Sequence, residues 1–523
     1  MKNYDVLIVG CGPAGATLAN LLRIRGYSVA IFDRDKEVFK VPRAMMLDSE
    51  SCRIYQELGI EERLEKNDAR HATRHLIVDS NREHLLTLNY DLVEGQYGYP
   101  PMGMMIHQPG LERLLRDDFK LDEGVDAFLG YEVSDVDGTR NLAKLKARNI
   151  DTNEISEFTG QYIIGADGGQ SLCRQYIGAK RIDMNYSRKW IVIDITVHDD
   201  ALWHSILPQG EYRCGPDSAI VYVKGFHNHL RFDCEVTEEI AKTFNEDDAR
   251  KLISEYIDIS SIEFQRIAPY NFYAGMPEAW RKGRVFVAGD AAHRTPPFSG
   301  QGLNMGVRDS ANLAFKLDLI FRGLANDTFL NTYEEERWEN CRQVIEQAAN
   351  SGELISTTSK LDQFKRSCVF FLGRIFPKAM VEKASKTSHR FPYIKGFIGD
   401  HTLSGHLMIQ PHVLTHEGKR VLLDEVTGNG FTLIQIQADS GEAAEDITWF
   451  TDVLGGKTFI IGKDFRDFDG KLFDFFTKND IKNVLVRPDR YIFSAGESAS
   501  ELTSQLRKDL SAYSPTATKE NRK

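Results

Sequence analysis

The sequence lacks the marks of a membrane-spanning, disulfide-rich or nucleic-acid-binding chain. No apolar run reaches the roughly 18 residues of a transmembrane helix. The seven cysteines are scattered and form no C-x-x-C pair, which argues against a disulfide framework or a zinc site. The 76 acidic residues outnumber the 65 basic ones, and a net charge of −11 offers no basic surface for nucleic acid or an anionic membrane. We therefore expect a cytoplasmic protein without a membrane span, whose partner is a small molecule.

Length and composition indicate a globular chain of several domains. Hydrophobic residues make up 42% and charged residues 27%, and 41 glycines and 16 prolines are an ordinary number for this length. Collagen-like, low-complexity and largely disordered chains are thereby excluded. At about 150 residues per domain, the length corresponds to about three units.

The N-terminus has the pattern of a βαβ unit. An apolar run (YDVLIV), a glycine-rich turn (GCGPAG), a helical segment and a second apolar run (SVAIF) follow one another over residues 4–9, 10–15, 16–25 and 28–32. The second predicted strand leads directly into Asp33. This spacing is typical of a dinucleotide-binding fold.

The residues of this turn have separate expected roles. Gly10 permits the tight turn, Gly12 lets the backbone approach a pyrophosphate, and Gly15 lets helix and strand pack closely. Asp33 can accept hydrogen bonds from a ribose. The phosphates would lie at the helix N-terminus, where unpaired N–H groups point outward. Glycine turns of this kind also occur without a nucleotide, but the complete pattern favours the nucleotide interpretation.

Three separated motifs resemble those of one enzyme family. GCGPAG (10–15), DGGQSLCR (167–174) and GDAAHRTPPFSGQGLNMGVRDSANL (289–313) resemble, in this order, the signatures of the single-component flavoprotein monooxygenases, the class of para-hydroxybenzoate hydroxylase. Within that class, PRAMMLDSES (42–51), IHQPGLERLL (106–115) and a C-terminal domain that looks thioredoxin-like without redox cysteines resemble the subgroup of 3-(3-hydroxyphenyl)propionate hydroxylase and phenol hydroxylase. The motifs span residues 10–313.

The resemblance implies an α/β fold: a Rossmann-like FAD-binding domain, an inserted antiparallel-sheet substrate domain and a C-terminal thioredoxin-like domain. The expected boundaries are 1–72, 101–180 and 276–330 for the discontinuous FAD-binding domain, 73–100 and 181–275 for the substrate-binding sheet, 331–398 for a helical connection, 399–513 for the thioredoxin-like domain and 514–523 for a disordered tail.

The resemblance also assigns most of the site residues to FAD, bound tightly and without a covalent link. Gly10, Gly12 and Gly15 would hold its pyrophosphate, and Asp33 its adenosine ribose. The other expected contacts are Arg43 and Gln108 with the flavin, Asp167, Gly168 and Arg174 with FAD and the nicotinamide coenzyme, Gly289 and Asp290 with the phosphate and ribityl region, and Gly300, Leu303 and Asn304 with the isoalloxazine edge. The alternative for Asp167 and Asp290 is that each caps a helix. No metal is expected.

The implied activity is hydroxylation of a phenolic or related electron-rich ring, with NADH or NADPH as reductant and O2 as co-substrate. In this family reduced flavin forms a hydroperoxide that transfers one oxygen atom, and water has to be kept away from it. Pro297 belongs to a loop that lines the oxygen-reaction site in the family. Its proline neighbour Pro296 would stiffen the loop, and Phe298 would add apolar surface. The alternative is a rigid connector between strand and helix.

Asp48 is the candidate base that deprotonates the phenol. It stands where phenol hydroxylase has an active-site aspartate, shortly before the pair Cys52-Arg53. The alternative is an N-cap, because DSESCRIYQEL has the pattern of a helix start. One departure concerns the substrate: relatives acting on hydroxyphenylpropionate commonly have a histidine where this chain has Met46. A propionate-bearing substrate is therefore disfavoured.

Other polar residues have weaker interpretations. Arg231, on a predicted strand of the substrate sheet, could bind a substrate carboxylate bidentately. His71 and His75 have the i, i+4 spacing of helical metal ligands, although no third ligand is evident. His227 and His229 alternate on a predicted strand and are expected to be exposed. His293 is expected to be structural.

Two alternatives to phenol hydroxylation stay open. The chain could modify or inactivate a larger aromatic natural product, or it could bind flavin without hydroxylase turnover. A homodimer is also expected, with the C-terminal domain contributing to packing.

Overall fold

The computed structural model describes residues 2–100, 103–139, 141–206, 210–215, 219–357, 359–387, 391–437 and 445–514. The predicted disordered tail lies outside these residues, apart from Ser514. Within the described ranges, no helix combines the length and the apolar character that crossing a membrane requires.

The nucleotide-binding domain is built on a mostly parallel sheet, the central sheet. Its strands, in spatial order, are Arg281–Lys282, Val285–Val287, Ile155–Gly165, Asn3–Val9, Val29–Asp33 and Val125–Leu129, and the antiparallel strands Tyr131–Asp137 and Ala143–Asn149 extend from Ile155–Gly165. Leu7 and Ile31 are fully buried, which explains why the first two parallel strands are continuous apolar runs. The α-helices of this domain are Pro13–Arg23, Ser49–Glu57, Glu61–Glu65, Gln108–Asp117, Leu172–Ile177 and Gln301–Phe321.

A second sheet, the inserted sheet, lies outside the nucleotide-binding domain. Its strands, in spatial order, are Ile262–Pro277, Arg181–Val197, His229–Glu235, Ile220–Lys224, Gly210–Arg213, Arg74–Val78 and His84–Asn89. One face packs Ile191, Ile193 and Leu230 against helices of residues 200–254. These helices are Asp200–Ser205, Glu238–Thr243 and Glu246–Ser254. The other face is turned toward the nucleotide-binding domain.

A small three-stranded sheet joins the segments that flank the site. It consists of Met46–Leu47, Met104–Ile106 and Ala69–His71. It holds the 42–48 segment beside the start of helix Gln108–Asp117.

The C-terminal third begins with helices and ends in a separate α/β unit. The helices are Asn331–Ser356, Lys360–Ile375 and Pro377–Thr387. The main C-terminal sheet has the order Lys457–Ile460, Thr432–Gln435, Asn483–Val486 and Ile492–Gly496, and a smaller one has Arg420–Leu422, His412–Leu414 and Arg466–Asp467. Its helices are Leu423–Thr427, Glu445–Thr448, Lys471–Lys478 and Ala499–Ser511, with a π-helical turn at Trp449–Val453. The thioredoxin-like interpretation of this unit stays a prediction.

Buried polar contacts join this unit to the rest of the chain. Arg487 forms an ion pair with Glu336 at 2.8 Å, and both side chains are fully buried. The hydroxyl of Tyr491 donates to Glu50 at 2.9 Å. No local pattern predicts these pairs, because their members are far apart in the sequence.

Candidate functional site

The glycine turn leaves open space where the sequence predicts a pyrophosphate. A Cβ at Gly10, where φ is 101°, would lie 2.3 Å from the backbone oxygen of Ala166, and one at Gly15 would lie 2.0 Å from that of Gly10. Side chains are therefore excluded there by the chain itself. A Cβ at Gly12 would meet nothing within 4 Å. The space at the start of helix Pro13–Arg23 is thus free for an anionic group.

Asp33 is at the carboxyl end of its strand, and a nearby cavity runs along the edge strand Val125–Leu129. The Oδ2 atom of Asp33 accepts the N–H of Cys11 at 2.8 Å, which ties the acid to the glycine turn. Beyond it, a cavity of about 380 Å³ is lined by Lys36, Arg116 and Leu129 among others. Its place and its basic lining fit the adenosine end of FAD.

Gln108 and Arg43 have different parts in the site. The Oε1 atom of Gln108 accepts the N–H groups of Arg43 at 2.8 Å and of Ala44 at 2.6 Å, and its amide donates to Glu112 at 2.7 Å. Gln108 therefore fixes the backbone of the 43–44 segment. The Arg43 side chain is 59% exposed and lies 3.8 Å from Glu112, so its guanidinium is available to a ligand.

The second motif combines both interpretations of Asp167. Its Oδ2 accepts the N–H of Leu172 at 2.7 Å, as a helix cap does, whereas its Oδ1 is buried without a partner. Burial raises the pKa of this carboxyl. Arg174 donates to the backbone oxygens of Gly169 at 2.5 Å and Ala291 at 3.0 Å, which joins the second motif to the third. This oxygen lies beside Gly165 and Cys173 in the interior of the second motif.

Asp290 makes no capping hydrogen bond and is exposed. It lies in the turn after Gly289, where a Cβ would approach Ala14 of the first helix to 3.1 Å. The second and third motifs therefore converge on the same helix N-terminus. Nearby, His293 is buried and donates to Asp309 at 2.7 Å, in keeping with a structural role.

Asn304 connects the two segments that border the expected flavin position. Its amide donates to the backbone oxygen of Gly300 at 2.8 Å, and its oxygen accepts the N–H of Asp48 at 3.0 Å. Gly300 has a φ of 63°, a conformation that favours glycine. Leu303 is partly exposed beside it.

The proline loop differs from the expectation in one respect. Pro297 is exposed at the site, but Phe298 is 3% exposed and points into the interior. Its ring packs on Trp190 at 5.7 Å and on Tyr186 at 6.2 Å between centroids. The expectation that Phe298 supplies apolar surface over the reaction site was therefore wrong, because the aromatic cluster of the inserted sheet takes up its ring.

Asp48 occupies the N-cap position of helix Ser49–Glu57. Its Oδ1 accepts the N–H of Ser51 at 2.9 Å, and its Oδ2 forms a close ion pair with Arg308. The helix cap therefore engages Oδ1 of Asp48, and the ion pair engages Oδ2. A role as base stays a prediction, and this arrangement does not favour it, since both oxygens already accept from fixed donors.

The structure corrects the interpretation of Arg231. Its Nε donates to Asp194 at 2.9 Å and its Nη1 to the backbone oxygen of Arg43 at 2.9 Å. The guanidinium of Arg231 therefore has no pair of free N–H groups with which to bind a substrate carboxylate. His229 is also bound to Asp194, at 2.8 Å, and is buried rather than exposed.

The other histidine interpretations change as well. His71 and His75 lie on two different strands instead of one helix, so they do not have the helical spacing that the disfavoured metal interpretation required. His227 is exposed, and with His107 it donates to Asp68 at 2.9 and 2.8 Å. The sequence could not predict this cluster because its members come from three distant segments.

Sequence reasoning missed the polar residues on the site-facing side of the inserted sheet. Among them, Asp233 has a buried oxygen without a hydrogen-bond partner. Periodicity marks alternating faces of a strand but does not say which face meets the cofactor.

A mostly parallel sheet with a glycine turn that is open at Gly12, joined to an inserted antiparallel sheet, is the arrangement of the FAD-dependent aromatic monooxygenases. A model of the FAD binding domain family matches residues 3–348, and one of the HcaD C-terminal domain matches residues 405–509. The chain belongs to the FAD binding domain family.

Curated relatives are similar over nearly the whole chain. "Probable NADH-specific resorcinol 4-hydroxylase" of Rhodococcus jostii (strain RHA1) is 30% identical over 98% of this chain and 96% of its own length. "3-(3-hydroxy-phenyl)propionate/3-hydroxycinnamic acid hydroxylase" of Burkholderia cenocepacia (strain HI2424) is 29% identical over 95% of this chain and 94% of its own.

Solved structures share the fold. Aklavinone-11 hydroxylase, in complex with FAD and aklavinone, gives a TM-score of 0.79 at 21% identity and covers 98% of this chain and 100% of its own. The flavin-dependent monooxygenase PieE, with FAD and substrate, gives 0.78 at 21% identity, with coverage of 98% and 99%. The chain is thus an FAD-dependent aromatic monooxygenase with NAD(P)H as its reductant.

Proposed function

We propose that this enzyme hydroxylates a single-ring phenol with NADH as the reductant. The support is the full-length similarity to hydroxylases whose names specify resorcinol and hydroxyphenylpropionate, one of them NADH-specific. A larger aromatic natural product is the alternative. It is favoured only by solved structures of about 21% identity, which bear on the fold alone.

The observation that carries this proposal is the apolar surface facing the cofactor cradle. Val192 and Val221 on the inserted sheet are 7% and 8% exposed, and they lie on the face that packs against the nucleotide-binding domain. Such a surface excludes water and suits a flat aromatic ring.

The residues of the three motifs would hold FAD, which supplies the redox chemistry that activates O2. Gly10, Gly12 and Gly15 would hold its pyrophosphate, and Asp33, which is tied to the glycine turn, would bind its adenosine ribose. The further proposed contacts are Arg43, Gln108, Asp167, Gly168, Arg174, Gly289, Asp290, Gly300, Leu303 and Asn304, with Pro297 at the oxygen-reaction site. Gln108 acts through the 43–44 backbone that it fixes.

The test is coenzyme oxidation by purified, FAD-loaded enzyme. NADH and NADPH are compared with phenol, resorcinol, 3-(3-hydroxyphenyl)propionate and fused polycyclic phenols, and products are identified by mass spectrometry. We expect a single-ring phenol to stimulate NADH oxidation and to gain one oxygen atom. Stimulation by polycyclic phenols alone would support the natural-product alternative, and flavin without any stimulation would support a protein without turnover.

A homodimer and a cytoplasmic location are further proposals. Both rest on the sequence and not on a described interface. Light scattering coupled to size-exclusion chromatography would show a mass of about twice 59.4 kDa for a dimer.

A further inference from the structure

The register of the inserted sheet identifies the side chains that face the FAD-binding domain. Asp233 is paired with Val192 on one neighbouring strand and with Val221 on the other. Residues directly opposite each other share a face of the sheet. Arg231, two residues earlier on that face, donates to the backbone oxygen of Arg43 in the FAD-binding domain. Asp233 therefore points toward the FAD-binding domain.

Asp233 lies between two contacts of the sheet with that domain. On one side Arg231 reaches the 42–43 backbone, and on the other Trp190 packs on Phe298, two residues before Gly300. Asp233 keeps an intermediate exposure, so open space lies beside it. The exposed part of Asp233 lies between these two contacts, which involve the segments that border the expected flavin.

The Asp233 carboxylate has no hydrogen-bond partner among the described residues. Its Oδ1 is buried, and its cross-strand neighbours Val192 and Val221 cannot donate. Burial raises the pKa of the carboxyl to about 6. Buried polar groups are nearly always hydrogen-bonded, and leaving an acceptor unpaired is unfavourable. An unpaired carboxylate at the edge of a ligand space is thus a site for a donor on the ligand.

Two further polar side chains share this face. Tyr212 is paired with Val221, and its ring lies 5.8 Å from the ring of His75. Tyr212 makes no hydrogen bond within the described part of the chain, and the Nε2 atom of His75 is buried without a partner. Burial lowers the pKa of His75 to about 4, so the ring is neutral. Tyr212 and His75 therefore offer hydrogen-bonding groups that carry no positive charge.

The cations of the same face are already paired. Arg231 and Arg266 both contact Asp194, at 2.9 and 2.6 Å, and Arg188 contacts Glu353 at 2.7 Å. A substrate carboxylate placed here would meet Asp233 and no free cation of the described sheet face. Like charges in a desolvated site repel strongly.

We propose that Asp233 accepts a hydrogen bond from a hydroxyl group of the substrate, and that Tyr212 and His75 complete a subsite for a neutral hydroxylated ring. The subsite favours a dihydric phenol over a ring with a carboxylate chain. This proposal rests on the proposed function, because it names the substrate class of the same site.

The test is ligand binding to the full-length, FAD-loaded enzyme without coenzyme, followed through the flavin absorbance spectrum. The ligands are resorcinol, 3-methoxyphenol and 3-(3-hydroxyphenyl)propionate. The variants are Asp233→Asn and, as a matched control, Glu235→Gln, which removes a charge two residues further along the same face. FAD content is measured for each variant.

We expect Asp233→Asn to weaken resorcinol binding by about 10-fold or more, as loss of a hydrogen bond to a charged group does. Its preference for resorcinol over 3-methoxyphenol should shrink, and its affinity for the propionate should hold or rise. Glu235→Gln should leave all three affinities unchanged. Tyr212→Phe, which keeps the carboxylate, should weaken resorcinol binding by about 3-fold.

An unchanged resorcinol affinity in Asp233→Asn would overturn the proposal, as would a wild-type enzyme that binds the propionate more tightly than resorcinol. If Asp233→Asn retains no FAD, the affinity of Tyr212→Phe for resorcinol is the test instead. An unchanged resorcinol affinity in Tyr212→Phe overturns the proposal. These results leave the proposed function standing as long as the wild type still hydroxylates a single-ring phenol. If no such phenol stimulates NADH oxidation, the proposed function fails as well.

Discussion

Asp48 and Asp233 are two carboxylates beside the same site, and the protein holds them in opposite ways. Asp48 accepts from the N–H of Ser51 and from Arg308, whereas Asp233 accepts from no described residue. The carboxylate of Asp48 is held in place by a cation and a helix N-terminus. Asp233 is desolvated, Arg231 and Arg266 offset this only in part, and its pKa is raised to about 6. Asp48, which lies in a recognisable motif, thus supports the structure. Asp233, which lies outside any motif, is the carboxylate that can accept from a ligand.

The difference extends to what surrounds each acid. Arg308, which pairs with Asp48, also donates to Glu50 at 2.8 Å, and Glu50 accepts from Tyr491 of the C-terminal unit. Asp48 is therefore part of a buried network that reaches another domain. The nearest cation to Asp233 on its strand, Arg231, is engaged by Asp194.

The largest expected effect is on stability when Asp48 is changed. Asp48→Asn keeps an N-cap but leaves Arg308 without one anion, so we expect a loss of about 3 kcal/mol in the free energy of unfolding. Urea denaturation at pH 7.5 measures it. A loss below about 1 kcal/mol would mean that the ion pair is not formed in solution.

Asp233→Asn should raise the free energy of unfolding, whereas Asp48→Asn should lower it. The folded chain holds the Asp233 proton more tightly than the unfolded chain, so ionisation costs stability as the pH rises from the ordinary value of 3.8 through about 6. We expect the variant without ligand to be more stable than wild type at pH 7.5 by up to about 3 kcal/mol. The gain should shrink as the pH falls toward 4. Thermal unfolding across this pH range checks the trend, and a gain independent of pH would contradict it.

Tyr491→Phe tests the reach of the Asp48 network. It removes a buried hydrogen bond to Glu50 and should cost about 1 kcal/mol. Urea denaturation measures the loss. The affinity for resorcinol should not change, because Tyr491 contacts neither the cofactor cradle nor the sheet face. A changed affinity would show that the network shapes the substrate space.

The smallest effect is expected for Glu353→Gln. This residue pairs with Arg188 on the edge of the same site-facing surface, and both side chains are about half exposed, at 51% and 41%. Exposed ion pairs contribute less than about 1 kcal/mol. A larger loss would mean that Arg188 is more buried in solution and that the face carries a cation in need of a partner.

The sequence predicted the parts of the site that depend on local spacing. Gly10, Gly12 and Gly15 lie as the motif requires, because a tight turn and a close helix contact follow from neighbouring residues. The inserted sheet was also recognised from its alternating strands. The direction of Phe298 was not, since it depends on Trp190 and Tyr186 in a distant segment.

Roles that depend on which face meets the cofactor were beyond sequence reasoning. Arg231 and Asp233 lie two residues apart on one strand, yet only Arg231 attracted attention, as a substrate anchor that proves to be engaged by Asp194. The unpaired state of Asp233 follows from Val192 and Val221, which are remote in sequence and meet it only through strand register.

The most direct test compares resorcinol binding by Asp48→Asn and Asp233→Asn, each loaded with FAD, in the same flavin titration. The account predicts wild-type affinity for Asp48→Asn and an affinity lower by about 10-fold or more for Asp233→Asn. Weakened binding in Asp48→Asn together with wild-type affinity in Asp233→Asn would contradict the account. It would indicate that Asp48, and not Asp233, contacts the substrate.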